Sequence, residues 1–522
     1  MARPIKLLLV TAILLQCVGI LDHSLWTPDE PRVAEISREM AASGDYLIPH
    51  HAQKPFLEQP PLYYATVAFF YRVFGTSCEG VGRFASVLFA LGTLLTVFFA
   101  TRTLYNEQTA GLAILILASS VRFFDVSHKM LVDNALCFFI TIALFACMLA
   151  YKERLIHGYK IFWIGITCAF LTKGLVGIAI PGVAVALFIL WRGDFHLIKR
   201  IWAFPGILLL TIVMGIWAWV LYTRGGPDFL RTFYLYNQWG RFLHGSIYTG
   251  GHIRPFYYYL TTIWADGAPW SLLLIPFFIK TRKPDEVMRF LCAWFVGGMV
   301  LLSIALTKRG LYLLPLFPAM AVMVAYWMSD MTRRVPEKWE HIFLYIIGGL
   351  VFLCALAVPL GYCFELGGIW WVAIFIFATT VMLFWFAYRY MKGNIPFLIP
   401  LLWSLLLLLW VPALFPQIDK AKGYKDLFTH MGSIVAHEPV AGYQLTETIE
   451  ALSPFYGGFY VENIENRRMF EKMLREGNLV YVIILPTRID KDLRALLMSR
   501  GMLLLKDASP IRRDIELWKI GK

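Results

Sequence analysis

The residues best suited to chemistry gather in one short stretch, "WTPDEPRVAEISREMAASGDY", from Trp26 to Tyr46. Asp29, Glu30, Arg32, Glu35, Arg38 and Glu39 crowd together directly after the first apolar segment. A carboxylate held at such an edge can accept a proton, and a neighbouring guanidinium can hold an anion. Further along, "HHAQKPFLEQPPLYY" supplies Lys54 and Glu58 just ahead of Pro60-Pro61. Asp133 in "HKMLVDNALCFF" and Lys173 in "LTKGLVG" lie in apolar runs, where an ionisable group is a functional candidate by default. Lys308 and Arg309, in "LTKRGLYLLPLFP", end another such run. Cations beside lipid point to an anionic headgroup, most simply a phosphate. A carboxylate among them points to a base or a metal ligand.

These groups need elements to position them. Asp29 suits an N-cap, Pro31 is tolerated in a first turn and Gly44 marks a stop. Between them Val33, Ile36 and Met40 form one apolar stripe, with Arg32, Glu35 and Glu39 along its flank. The pattern predicts an amphipathic helix lying on the membrane surface, with Asp29 at its tip on the apolar side.

The whole chain is built for a bilayer. Of its 522 residues 58% are hydrophobic and 16% charged, with mean hydropathy +0.61, where a soluble chain carries about 25% charged residues. The net charge of +13 is spread over short Lys/Arg clusters between apolar runs. That is the signature of cytoplasmic loops and gives no reason to expect nucleic acid. The eight cysteines show no Cys-x-x-Cys spacing. Apolar runs near 5–21, 82–101, 109–125, 131–151, 201–222, 256–279, 287–306, 311–329, 341–361, 369–388 and 395–415 are candidate spans. The long run 161–191 has cations on both flanks, so it should cross twice, turning near "LTKGLVG". The short segment 61–75 fits an interfacial or re-entrant helix. The expectation is therefore a polytopic α-helical membrane protein with about thirteen spans, N-terminus in the cytoplasm and C-terminus outside. Loops 22–81 and 223–255 then share the outer face with the tail 416–522. The tail mixes strand-like "LVYVIILP" (479–486) with helical "RRMFEKMLREG" (467–477) and reads as a small extracytoplasmic α/β domain.

Taken together, "DEPRVAEISREMAASGDYLIP", "KPFLEQPPLYY", "VGRFASVLFALGTLL", "LVDNALCFF", "LTKGLVGIAIPG", "RFLHG", "HIRPFYYYL" and "KRGLYLLPLFPAM" resemble, in that order, the aminoarabinose (lipid A) transferase and protein O-mannosyltransferase superfamily of GT-C fold glycosyltransferases. The likeness runs through residues 1 to about 415 and more loosely into the tail. It implies a GT-C catalytic domain over 1–415 in the bacterial inner membrane. It implies transfer of a sugar from an undecaprenyl-phosphate donor, with inversion, to a lipid A/LPS-type or other cell-envelope acceptor at the outer face. By the same likeness Asp29 is the catalytic residue, with Glu30 and Arg32 beside it in the motif. Lys173 matches the lysine that meets the donor phosphate, Arg241 and Tyr312 match positions lining the cavity, and Glu58 is the position at which the family can hold a divalent metal ion. From the residues themselves, Lys54, Lys308 and Arg309 are further candidates for the donor phosphate, and Asp133 and His252 further candidates for the outer-face site. Two positions depart from the aminoarabinose pattern: Gln59 stands where that branch has a lysine, and Asn237-Gln238 where it has a Glu-His pair.

A flippase or transporter for a polyprenyl-linked lipid would also need many spans and buried charge. Transporters often carry inverted repeats and set their charges at mid-membrane. Here no repeat is visible and the charges gather toward one face, which favours the enzyme.

Overall fold

The computed structural model describes residues 3–76, 78–202, 205–240, 242, 252–364, 370–390, 395–436, 438–507 and 514–521. The chain divides into two units, one of Met1–Ile20, Leu57–Tyr63 and Arg83–Ala413, the other of Leu21–Phe56, Tyr64–Gly82 and Leu414–Lys522.

The first unit is helical. Across the described residues seven helices are long and apolar enough to cross a membrane, up to nine if each of two bent pairs counts as one span. The candidate spans 109–125 and 256–279 are the two bent pairs. Glu107–Ala118 and Val121–Ser127 meet at 67°. There the Ser119 and Ser120 hydroxyls bond back to the carbonyls of Leu115 and Ile116, and Ser120 is extended, a local alternative to the helix ladder. Tyr258–Asp266 and Trp270–Lys280 meet at 112°. Gly267-Ala268-Pro269 lies between them, and a residue before proline is pushed out of the helical region.

The run 161–191 breaks at Gly174-Leu175 into helices Gly158–Lys173 and Val176–Arg192. They fold back on each other so closely that a Cβ on Gly177 would lie 2.5 Å from the Ala169 backbone. Beyond Tyr222 the sequence suggested a loop. Instead the chain stays helical to Gly240, with a break at Gly226 (φ 66°) before Pro227 and a π-helical stretch Arg231–Gly240. Widened turns of this kind often carry functional side chains.

The second unit holds a five-stranded mixed sheet. Its strands follow a hairpin of β1 (His50–His51) and β2 (Lys54–Pro55). They are β3 (Val440–Tyr443), β4 (Val461–Ile464), β5 (Tyr481–Ile484), β6 (Gly501–Asp507) and β7 (Ile515–Ile520), in the order β4-β3-β5-β7-β6. β3 runs parallel to β4 and β5, and β7 is antiparallel to β5 and β6. β3 and β5 are buried along their whole length, which is why "YVII" reads as a continuous apolar run. Helix Arg467–Glu476 is capped by Asn466 and stopped by Gly477. It buries Phe470 and Leu474 against Val482, Ile484 and Trp518. The helix expected from "PDEPRVAEISREM" spans Glu30–Ser43 and is stopped by Gly44 in the left-handed region. Its charged flank is not left to water. Glu35 and Glu39 are buried along with Val33, Ile36 and Met40.

Candidate active site

Within the first unit, Lys173 ends helix Gly158–Lys173 and Asp133 sits in the first turn of helix Val132–Tyr151. Each charge suits its end of the helix dipole. The two side chains meet at 2.6 Å, with 12% and 7% of their surface exposed. The Lys173 ammonium also lies 4.6 Å from the centre of the Tyr312 ring, within cation–π range. A buried pair of this kind contributes little net stability but fixes where its charges point.

The turn after Lys173 is held by an amide. The Gln238 side-chain oxygen accepts from the Leu175 backbone N–H at 3.0 Å, and its nitrogen donates to the Glu58 carbonyl at 3.5 Å. Asn237 donates to the Leu57 carbonyl at 3.1 Å. Gly174 is required twice over. Its φ of +71° is unsuited to L side chains, and a Cβ would sit 2.3 Å from the Gln238 oxygen. Glu58, Lys173, Asn237, Gln238 and Tyr312 line one cavity of about 350 Å³. Its polar residues, with Gln59 and Thr307, share the lining with Leu136, Val176, Ala179, Leu301, Leu302 and Ala305. Lys173 brings a cation and Glu58 a carboxylate to a lining otherwise made of amides, Thr307, aromatic and aliphatic side chains, which suits a molecule with a polar head and an apolar body.

The other residues expected from sequence are dispersed. Lys308 is buried and donates to the backbone carbonyls of Arg254 and Ala305. Its neighbour Arg309 starts the turn that carries Tyr312, and its carbonyl accepts from the Tyr259 hydroxyl. His252 is exposed, and its carbonyl accepts from the Lys308 N–H. Arg241 lies outside the described residues.

In the second unit Asp29 occupies the N-cap position of helix Glu30–Ser43 but makes no capping hydrogen bond. Its carboxylate faces Arg32 at 3.3 Å, and Arg32 reaches Glu447 at 2.7 Å and lies over the Phe56 ring. Glu30, buried, accepts from the Trp26 N–H. Glu39 accepts from the Gln53 N–H and so pins the hairpin that bears the exposed Lys54. Burial raises the Glu450 carboxyl, against a hydrogen bond from Asn463 and the charge of Lys54. Glu35 makes two 2.7 Å bonds from Arg38, yet burial pushes its carboxyl up to about 8.

Two groups escaped the sequence reading. Arg122 pairs with Asp266 at 2.6 Å and with Asp125, which in turn holds Lys129. Their signal was the same as that of Asp133 and Lys173: charge inside apolar runs. Glu447, by contrast, carries no such mark, since its role depends on a partner more than 400 positions away.

Residues 58–219 match the model of the dolichyl-phosphate-mannose-protein mannosyltransferase family. An undecaprenyl phosphate-α-4-amino-4-deoxy-L-arabinose arabinosyl transferase of Proteus mirabilis is 31% identical over 62% of this chain and 59% of its own length. A namesake from Pectobacterium atrosepticum is 30% identical over 65% and 62%. The chain thus spans about three fifths of the length of these relatives. Among solved structures, ArnT of Cupriavidus metallidurans bound to undecaprenyl phosphate superposes with a TM-score of 0.80 at 20% identity, covering 98% of this chain and 97% of that one. The chain has the fold of the ArnT structure, and in sequence it is similar to undecaprenyl phosphate-aminoarabinose arabinosyl transferases and, over residues 58–219, to the protein mannosyltransferase family.

Proposed function

We propose that this protein is an integral-membrane glycosyltransferase. It moves a sugar from an undecaprenyl-phosphate donor to a lipid A/LPS-type or other cell-envelope acceptor at the outer face of the bacterial inner membrane. The observation that carries the reading is the Lys173–Asp133 pair, its ammonium over the Tyr312 ring, at a largely apolar cavity that Lys173, Tyr312 and Glu58 line. The names of the relatives and of the ArnT complex supply the donor class.

The transfer is a single displacement. An acceptor oxygen attacks the sugar's first carbon while the bond from that carbon to the phosphate oxygen breaks, which inverts the centre. The lipid phosphate leaves with the electron pair and gains a negative charge, which Lys173 receives. If the acceptor is a hydroxyl, Asp29 takes its proton. If it is an anionic phosphate, no proton moves and Asp29 orients the sugar or acceptor. The sugar is a pentose or a hexose. Arg32, Lys54, Arg241 and Arg309 are supporting cations. Lys308, engaged by backbone carbonyls, steadies the segment that leads to Tyr312. Residues 1–415 form the catalytic membrane domain, with thirteen spans and a cytoplasmic N-terminus. Residues 416–522 form the outer domain.

A divalent metal at Glu58 does not suit the donor set. The polar residues lining the cavity with it are Gln59, Lys173, Asn237, Gln238, Thr307 and Tyr312. Among the described residues no group of three His, Cys, Asp or Glu is close enough to hold an ion. No step is routed through a metal.

The test uses purified protein in nanodiscs, given undecaprenyl-phosphate sugars one at a time, with released undecaprenyl phosphate followed by mass spectrometry. Acceptor-dependent release that vanishes in Asp29→Asn is the expected result. No release with any donor, together with movement of the lipid between leaflets, would make the protein a flippase.

A further inference from the structure

The geometry points to a positioning role for the C-terminal tail. We propose that Glu447 aims the proposed catalytic carboxylate, Asp29, by holding Arg32. This deepens the reading of Asp29 and rests on it.

Asp29 makes no side-chain capping bond. One turn along the same helix, Arg32 meets its carboxylate at 3.3 Å. The same guanidinium makes a closer bond to Glu447, 2.7 Å from its other terminal nitrogen. One fork therefore spans two carboxylates, and the stronger contact sets the plane in which the weaker is presented. Phe56 lies under the guanidinium and limits its swing. Asp29 and Arg32 are 15% and 16% exposed, whereas Glu447 is 55% exposed. An ion pair that exposed adds little to folding stability, which leaves orientation as its physical effect.

The tail clamps the rest of this loop as well. Thr448, next to Glu447, donates to the Pro28 carbonyl at 3.3 Å. Asp419 accepts from the Ser24 N–H, the Ser24 hydroxyl and the Trp26 indole. The Tyr456 hydroxyl accepts from the Leu25 N–H, and Arg38 donates to the Tyr460 hydroxyl. Residues 24–38 are thus tied by five tail side chains, and the tie at Arg32 is an ion pair.

The test is steady-state release of undecaprenyl phosphate by full-length protein, comparing Glu447→Ala, Glu447→Gln, Glu447→Asp and Asp29→Asn. Displacing a reacting group by about an ångström costs on the order of 100-fold in rate. Glu447→Ala should therefore lose roughly 10- to 100-fold in kcat, with the donor KM within twofold and the melting temperature unchanged. Glu447→Gln keeps the hydrogen bond without its charge and should fall between. Glu447→Asp should recover part of the loss. Wild-type turnover in Glu447→Ala, with Asp29→Asn inactive, overturns the inference and leaves the role of Asp29 intact. A loss of turnover that tracks a loss of folded protein also overturns it, since Glu447 would then be only structural. Turnover in Asp29→Asn removes the underlying reading and this inference with it.

Discussion

Lys173 and Asp133, from the facing ends of two helices, close a 2.6 Å ion pair beneath the ring of Tyr312. Removing one partner strands a charge in a poorly solvated place, which is more damaging than removing both. Lys173→Met and Asp133→Asn should each lower the melting temperature in nanodiscs, and the double variant should melt higher than either. In turnover the two differ. Lys173→Met removes the charge proposed to meet the leaving phosphate and should lose about 100- to 1,000-fold in kcat. Equal melting temperatures for all three variants would show that the pair is not coupled.

Gln238 ties the turn after Lys173 to the segment that carries Glu58. Gln238→Leu leaves the half-buried Leu175 N–H without that acceptor, a loss at the lower end of the about 1–3 kcal/mol that a fully buried group would cost. The expected result is a lower melting temperature and a donor KM raised about tenfold. Gly174→Ala should act from the other side of the same contact, because its Cβ would collide with the Gln238 oxygen. A donor KM unchanged in both variants would remove Gln238 from the binding geometry.

Stability should fall as pH rises. Burial lifts the Glu35 carboxyl to about 8 in the folded chain, against about 4.3 when unfolded. Between those values the folded state binds the extra proton, so its stabilisation is complete below about pH 4.3 and is lost as pH climbs through 8. The slope is at most about 1.4 kcal/mol per pH unit. Glu35→Gln should flatten the dependence of melting temperature on pH between about 5 and 8. A slope unchanged by that substitution would mean that another group sets it.

The helical membrane fold was legible because it is written locally: apolar runs of span length, bracketed by cations. The doubling back at Gly174 was legible from the same arithmetic, since cations flank both ends of 161–191. The bends at Ser119-Ser120 and Gly267–Pro269 were not, because the apolar pattern continues across them and only backbone chemistry breaks the helix. Asp133 and Lys173 stood out singly as charges in apolar runs. Their pairing did not, since nothing local links positions 40 apart. Asp29 read as a cap by residue type, and its actual partner is Arg32. The burial of Glu35 and Glu39 was hidden because the surface that covers them comes from distant parts of the chain.

The second unit is assembled from Leu21–Phe56, Tyr64–Gly82 and Leu414–Lys522. The segment bearing Asp29 is synthesised roughly 400 residues ahead of Asp419, Glu447 and Tyr456, which hold it. At about 5–20 residues per second that wait is on the order of 20–80 s. During synthesis the proposed base therefore lacks its tail partners, and the ties around Asp29 are complete only once residues 419–460 have been made.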